Sequence, residues 1–320
     1  MKKLVLIIMV FIISLSFSSC SKEVNKYEDS QIMLDTFITI KAYGENSEKA
    51  VNKAFSEIKR IEDTFSAYIK TSEISKINEN AYKNGYQTTD EVISVLKEAL
   101  YISKVSNGAF DITVKPLMDI WDFKSENPKV PTDEELNFIK DAIGYKNIEI
   151  KGNEVYFKHK DTKIDLGGAC KGYAADKAVE VLKSYGITDA LLDLGGNIYT
   201  LGKNEKGEKW KIGLQDPSKD RGEHFKVLSL SDTSCVTSGS YERYFEIDGK
   251  VYHHIIDPHT LKSANSGLVS VSVVGKSSFL CDMLSTTAFV MGKDEFLKIK
   301  DKFGIQSIVF VDNKNIKSAY

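Results

Sequence analysis

Between Phe279 and Val290 an otherwise apolar run carries four polar residues, Asp282, Ser285, Thr286 and Thr287. On a helix, at about 100° per residue, Asp282, Ser285 and Thr286 fall within roughly 100° of arc and form one oxygen-bearing stripe. A carboxylate on a buried face is costly unless it is paired or bound to a metal. An all-oxygen set suits a hard cation such as Mg²⁺, whereas zinc would want histidine or cysteine. The alternative is structural: Ser and Thr bonding back to their own helix, with Asp282 at a cap or the surface.

Two further constellations could carry chemistry. The stretch Asp165-Leu-Gly-Gly-Ala-Cys-Lys171-Gly reads as strand, glycine turn and helix start, where free N–H groups attract phosphate and Lys171 adds a positive charge. It matches neither a P-loop nor a GxGxxG fingerprint, so the residues alone say only that the turn is friendly to anions. Cys170 beside it reads as a small buried residue. In the second, Asp248-Gly249 separates two alternating runs and marks a hairpin, with Tyr252, His254 and Ile256 on one face and Val251, His253 and Ile255 on the other. One of the two histidines must point inward. His254 with Asp257 three residues later would suit proton transfer. Neither a Ser nucleophile elbow nor an HExxH motif is present in the sequence.

Elements must position these groups. Helical spacing of Val51, Ala54, Phe55, Ile58, Ile61 and Phe65 predicts one helix, and Asp90–Val105, stopped by Asn107-Gly108, predicts another. Thr132 and Glu135 form a capping box, with Gly144 ending that short helix. Strands are expected at 34–42, 154–158, 163–166, 190–194, 209–214, 244–247, 251–256 and 268–274. Ile164–Gly168 and Leu192–Gly196 repeat one five-residue theme 28 positions apart around a helix at Ala174–Tyr185, which reads as a β-α-β unit. Irregular interleaving makes the fold class α+β, mixed sheets layered with helices in two intimately packed halves.

Composition bounds the rest. With 320 residues, 42% hydrophobic and 28% charged, the chain can bury a substantial core. The 43 basic residues against 45 acidic leave no electrostatic footprint for nucleic acid, and only Arg60, Arg221 and Arg243 are arginines. Any phosphate group is therefore expected to meet Lys171 and backbone amides rather than an arginine clamp. Lys2 and Lys3 precede ten apolar residues, Leu4 to Ile13, and then Ser18-Ser19-Cys20, the layout of a secretory signal at 1–19. Ten helical residues span about 15 Å, half a hydrocarbon core, so this segment is not read as a permanent membrane span. The residues before Cys20 resemble a lipobox, with Phe17 where Leu is usual. The expectation is lipidation at Cys20, a polar tether over 20–31, and a single domain over 32–320.

Taken together, LDTFITIKAYG, SAYIKTSEISKIN, NGAFDITVKPLMDIWDF, IDLGGACKGYAAD, LLDLGGNIYTLG, TSGSYERYFEIDG, YHHIIDP and DMLSTTAFVMG resemble, in matching order from Leu34 to Gly292, the ApbE-type FAD:protein FMN transferases. The resemblance implies FAD contacts at Leu34, Tyr68, Ala109, Phe110, Asp111, Asp165, Lys171 and Ile256. It implies Mg²⁺ held by Asp282 and Thr286 with help from Ser285 and the Gly168 carbonyl. Its chemistry would be attack by a Thr or Ser hydroxyl of a target flavoprotein on the FMN-side phosphorus of FAD, with AMP leaving. His254 would be the base and Asp257 would orient it. The acceptor would carry a Ser/Thr-Gly-Ala-Thr-like motif, in a membrane redox complex or an extracellular flavoprotein. The protein would be exported and lipid-anchored on the extracytoplasmic side. Mg²⁺-dependent FAD hydrolysis to FMN and AMP, and flavin binding without catalysis, are the competing readings.

Overall fold

The computed structural model describes residues 25–320. The leader at 1–19, Cys20 and the first part of the tether lie outside them. Strand β1 (Lys26–Met33) occupies the second half of the expected tether and pairs with β2 (Thr36–Tyr43) through a two-residue turn. Leu34 and Asp35, expected to open a strand, are that turn, both left-handed (φ 51° and 57°). The ordered body therefore starts earlier than residue 32, because a polar strand that uses its backbone to pair has no hydrophobic signature of its own.

Six more strands, β3 (Asp189–Leu194), β4 (Asn197–Leu201), β5 (Thr233–Gly239), β6 (Leu268–Gly275), β7 (Ser307–Asp312) and β8 (Lys317–Ala319), complete an eight-stranded sheet. The order across the sheet is the order along the chain, and every neighbouring pair is antiparallel. Helices leave the sheet as excursions: α1 (Ser47–Phe65), α2 (Glu73–Asn80), α3 (Asp90–Val105), α4 (Lys115–Trp121), α5 (Asp133–Ile139) and α6 (Cys170–Ser184) all between β2 and β3, then α7 (Ser278–Met291) and α8 (Lys293–Leu297) between β6 and β7. The architecture is α+β, as expected, but without a β-α-β unit. Residues 163–166 are not a strand; the backbone of Ile164 is held by both ends of the Asn78 amide (2.7 and 2.9 Å). The second DLGG is the tight hairpin between β3 and β4. There a Cβ on Gly195 would lie 2.0 Å from Thr36 Oγ1, and its φ is 65°.

One face of the sheet is covered by α1, α6 and α7 side by side, α1 on β1 and β2, α6 on β4, α7 on β5 and β6. Every apolar position that predicted α1 is buried against Ile38, Ile40 and Ala42 of β2 and the facing side of α6. A second core of Leu117, Trp121, Leu136, Ile139, Phe245, Ile256 and Leu261 joins α4 and α5 to the hairpins 244–253 and 256–263. Among the described residues no helix is long and apolar enough to cross a membrane.

Candidate active site

Helix α6 starts one turn earlier than expected, at Cys170, with Ala169 at its N-cap and no capping side chain. Its first turn docks on α7 because position 172 has no side chain. A Cβ there would lie 2.3 Å from the Ser278 carbonyl oxygen and 2.7 Å from Asp282 Cβ. One turn further on, Asp176 accepts from Ser277 Oγ and from the N–H groups of Ser278 and Phe279, capping α7 from outside. Gly172 and Asp176 thus set the two helices at the spacing that puts the start of α6 beside the polar stripe of α7.

Asp282 is 4% exposed and accepts the Gly172 N–H at 2.8 Å. Burial raises its carboxyl above the usual range, opposed by the nearby Lys171 ammonium and by that N–H. Ser285, fully buried, bonds back to the Asp282 carbonyl and meets Ser238 Oγ at 2.7 Å. Thr286 is half-buried, its Oγ1 3.3 Å from Ser238 Oγ. It faces the Gly168 turn, where a Cβ would lie 3.4 Å from both Thr286 Oγ1 and Phe110 Cε2. So Asp282, Ser285, Thr286 and Gly168 converge, and Ser238 of β5 joins them. Among the described residues no three His, Cys, Asp or Glu side chains converge. The donor set is one incompletely satisfied buried carboxylate with hydroxyl and carbonyl oxygens, and it fits a hard cation.

Tyr68, half-exposed, donates to Asp165 Oδ2 at 2.8 Å, and Asp165 Oδ1 accepts the Gly167 N–H at 2.7 Å. Lys115 and Lys124 place their ammonium groups 4.5 and 5.1 Å from the centre of the Tyr68 ring. Lys115 is itself paired with Asp119, so Tyr68 offers an aromatic face whose flanking cations are balanced by carboxylates. Lys124 also pairs with Asp35, and Arg243 donates to the Asp35 carbonyl, which ties the Leu34–Asp35 turn to the same mouth. Lys171 is therefore not the lone cation expected. The basic groups were invisible as a cluster because they come from α4, the segment after it and the hairpin at 244.

Phe110 is buried beneath the glycine turn and Ala109 beside it. Asp111 is buried in the same loop. Both its oxygens are used internally, Oδ1 by the Thr113 N–H and hydroxyl and Oδ2 by the Tyr145 N–H at 2.6 Å. These bonds hold the loop that carries Phe110. Ile256 packs into the second core.

The two histidines divide as the alternation requires. His253 points inward, 8% exposed, with Nε2 3.1 Å from the Ala264 carbonyl and its ring edge-on to Phe289. His254 is half-buried, and its Nδ1 lies 3.2 Å from the carbonyl of Arg243. A carbonyl can only accept, so Nδ1 carries the hydrogen and Nε2 keeps a lone pair. Burial above all, with the charges of Lys171 and Arg243, pushes its imidazole down to about 4, so it is neutral at physiological pH. Asp257 does not orient it. After the strand ends at His253, Pro258 turns the chain and Asp257 Oδ1 is taken by the N–H and Nδ1 of His259. The orienting group is the Arg243 backbone, which no spacing in the sequence announces.

The ApbE family model matches residues 34–309. An FAD:protein FMN transferase of Vibrio cholerae is 34% identical over 256 residues, covering 79% of this chain and 77% of that protein. Another, of Haemophilus influenzae, is 31% identical and covers 98% of this chain and 95% of its own. Among solved structures, an ApbE protein from Thermotoga maritima superposes with a TM-score of 0.85 at 32% identity, over 92% of this chain and 96% of that one. The flavin transferase ApbE of Vibrio cholerae superposes with a TM-score of 0.83 at 28% identity, over 93% and 97%. With that match across nearly all of the described fold, the chain belongs to the ApbE family.

Proposed function

We propose that this protein transfers FMN from FAD to a Thr or Ser hydroxyl of a target flavoprotein and releases AMP. The observation that carries it is the convergence around Lys171, at the start of α6, of a half-buried neutral histidine and the Asp282–Ser285–Thr286 oxygen stripe. The hydroxyl oxygen forms a bond to the FMN-side phosphorus, the bond to the AMP oxygen breaks, and the hydroxyl proton passes to Nε2 of His254. The Lys171 ammonium and its own backbone N–H stabilise the pyrophosphate charge, since the Cys170 and Gly172 N–H groups are taken by the Leu166 carbonyl and Asp282, and the Tyr68 ring holds the aromatic part of the dinucleotide. Asp282, Thr286, Ser285 and the Gly168 carbonyl would hold Mg²⁺. When bound it supplies positive charge against the phosphate oxygens.

Transfer is preferred to hydrolysis because the Tyr68 ring and its flanking cations retain the flavin nucleotide at the mouth. Binding without catalysis would need neither the buried carboxylate nor the free Nε2. The acceptor motif is read as Ser/Thr-Gly-Ala-Thr-like. The leader and Cys20 support an exported, lipid-anchored protein facing the extracytoplasmic side. Incubation with FAD, Mg²⁺ and an acceptor bearing that motif should add the mass of FMN to the acceptor, and an acceptor with Ala in place of the hydroxyl residue should stay unmodified. Free FMN with an unmodified acceptor would mean hydrolysis, and intact FAD would mean binding alone.

A further inference from the structure

The loop that carries Ala109 and Phe110 leaves α3 through a left-handed pair, Asn107 and Gly108 (φ 53° and 86°). A side chain outside the transfer chemistry grips its outer end. His259, half-exposed in the turn after Pro258, has Nδ1 3.1 Å from Asp257 Oδ1 and Nε2 2.9 Å from the carbonyl oxygen of Asn107. Both partners are acceptors and neither can donate. A neutral imidazole has one N–H and satisfies one of them; only the imidazolium satisfies both. The ring also abuts the turn, since a Cβ on Gly108 would lie 3.5 Å from His259 Nε2. Among the described residues this is the only hydrogen bond from residues 107–111 to the 256–263 hairpin.

We propose that His259 is a positioning residue that, in its doubly protonated form, ties the Asn107 carbonyl to Asp257 and so fixes loop 107–111 beneath the cofactor cleft. The charged groups that face it are Asp257 on its own turn and Asp111 across the loop, and the Tyr145 ring borders Gly108 from the third side. With both ring nitrogens protonated the tie is complete; with one protonated it keeps a single bond. Phe110 packs beneath the Gly168 turn, so a loosened loop loosens the floor of the site. The consequence for flavin rests on the function proposed above; the tie itself does not.

Amide hydrogen exchange over residues 106–112, corrected for intrinsic rates, tests it in the full chain and in His259→Phe and His259→Arg. Wild-type protection should exceed that of His259→Phe by roughly fivefold, the scale of one charge-assisted bond at an exposed site. His259→Arg, permanently charged and able to donate twice, should keep the wild-type value. FAD affinity read by flavin fluorescence should follow the same pattern, several-fold weaker in His259→Phe than in the wild type. Wild-type protection equal to that of His259→Phe, or His259→Arg as unprotected as His259→Phe, would overturn the proposal. Failure of the wild type to bind FAD would sink the flavin reading while the exchange result still decides the role of His259.

Discussion

At the scale of residues, the account turns on which atom of which histidine is free. His254 has its Nδ1 committed to the Arg243 carbonyl, so Nε2 is the atom left for the proposed base. Replacing it by Ala should slow transfer by roughly 10²- to 10⁴-fold while leaving the FAD dissociation constant unchanged. Asp257→Ala should behave like His259→Phe, not like His254→Ala, because Asp257 touches His259. The pH profile follows with its sign. A base held down to about 4 stays competent through the neutral range, so kcat/KM should lose activity only as pH falls towards 4. Steady-state measurement at saturating Mg²⁺ checks this, and an acid limb near the ordinary histidine value would contradict it.

At the scale of elements, α6 and α7 form the site by touching. Gly172→Ala would drive a methyl group to within 2.3 Å of the Ser278 carbonyl. The helices must separate, at a cost of about 1–3 kcal/mol measured by denaturant unfolding, and cation affinity should fall with stability. The oxygen stripe was legible in the sequence because 3.6-residue periodicity fixes which side chains of one helix share a face, and the tertiary fold adds no freedom to that. Helix α3 and the Asp248-Gly249 hairpin were legible for the same local reasons: Thr89 caps the helix, and φ values of 51° and 72° make the turn. The first DLGG was misread as a strand because its alternation is real but its backbone bonds go to the Asn78 side chain, a partner 86 residues away. Strand β1 was missed because pairing with β2, not apolar alternation, makes it a strand.

At the scale of the molecule, one antiparallel sheet in chain order carries long excursions, and residues from those excursions meet around Tyr68 and Lys171. Sheet order is non-local and no window of the sequence encodes it, which is why the cluster of Lys115, Lys124 and Arg243 around Tyr68 and Asp35 went unforeseen. The buried Asp282 would couple the whole fold to the proposed cation. Its carboxyl is raised by burial and must be ionised to coordinate, so Mg²⁺ should raise the melting temperature at neutral pH and progressively less as pH falls. The stabilisation should reach about 2.7 kcal/mol at a hundredfold excess over the dissociation constant and vanish in Asp282→Ala. Calorimetry across pH measures it. The most direct test of the central claim is the ratio of AMP released to flavin covalently bound, followed by chromatography and acceptor mass during turnover of FAD. Equal amounts of AMP and flavinylated acceptor, with no free FMN, are the predicted result; AMP appearing with free FMN and an unmodified acceptor would contradict it.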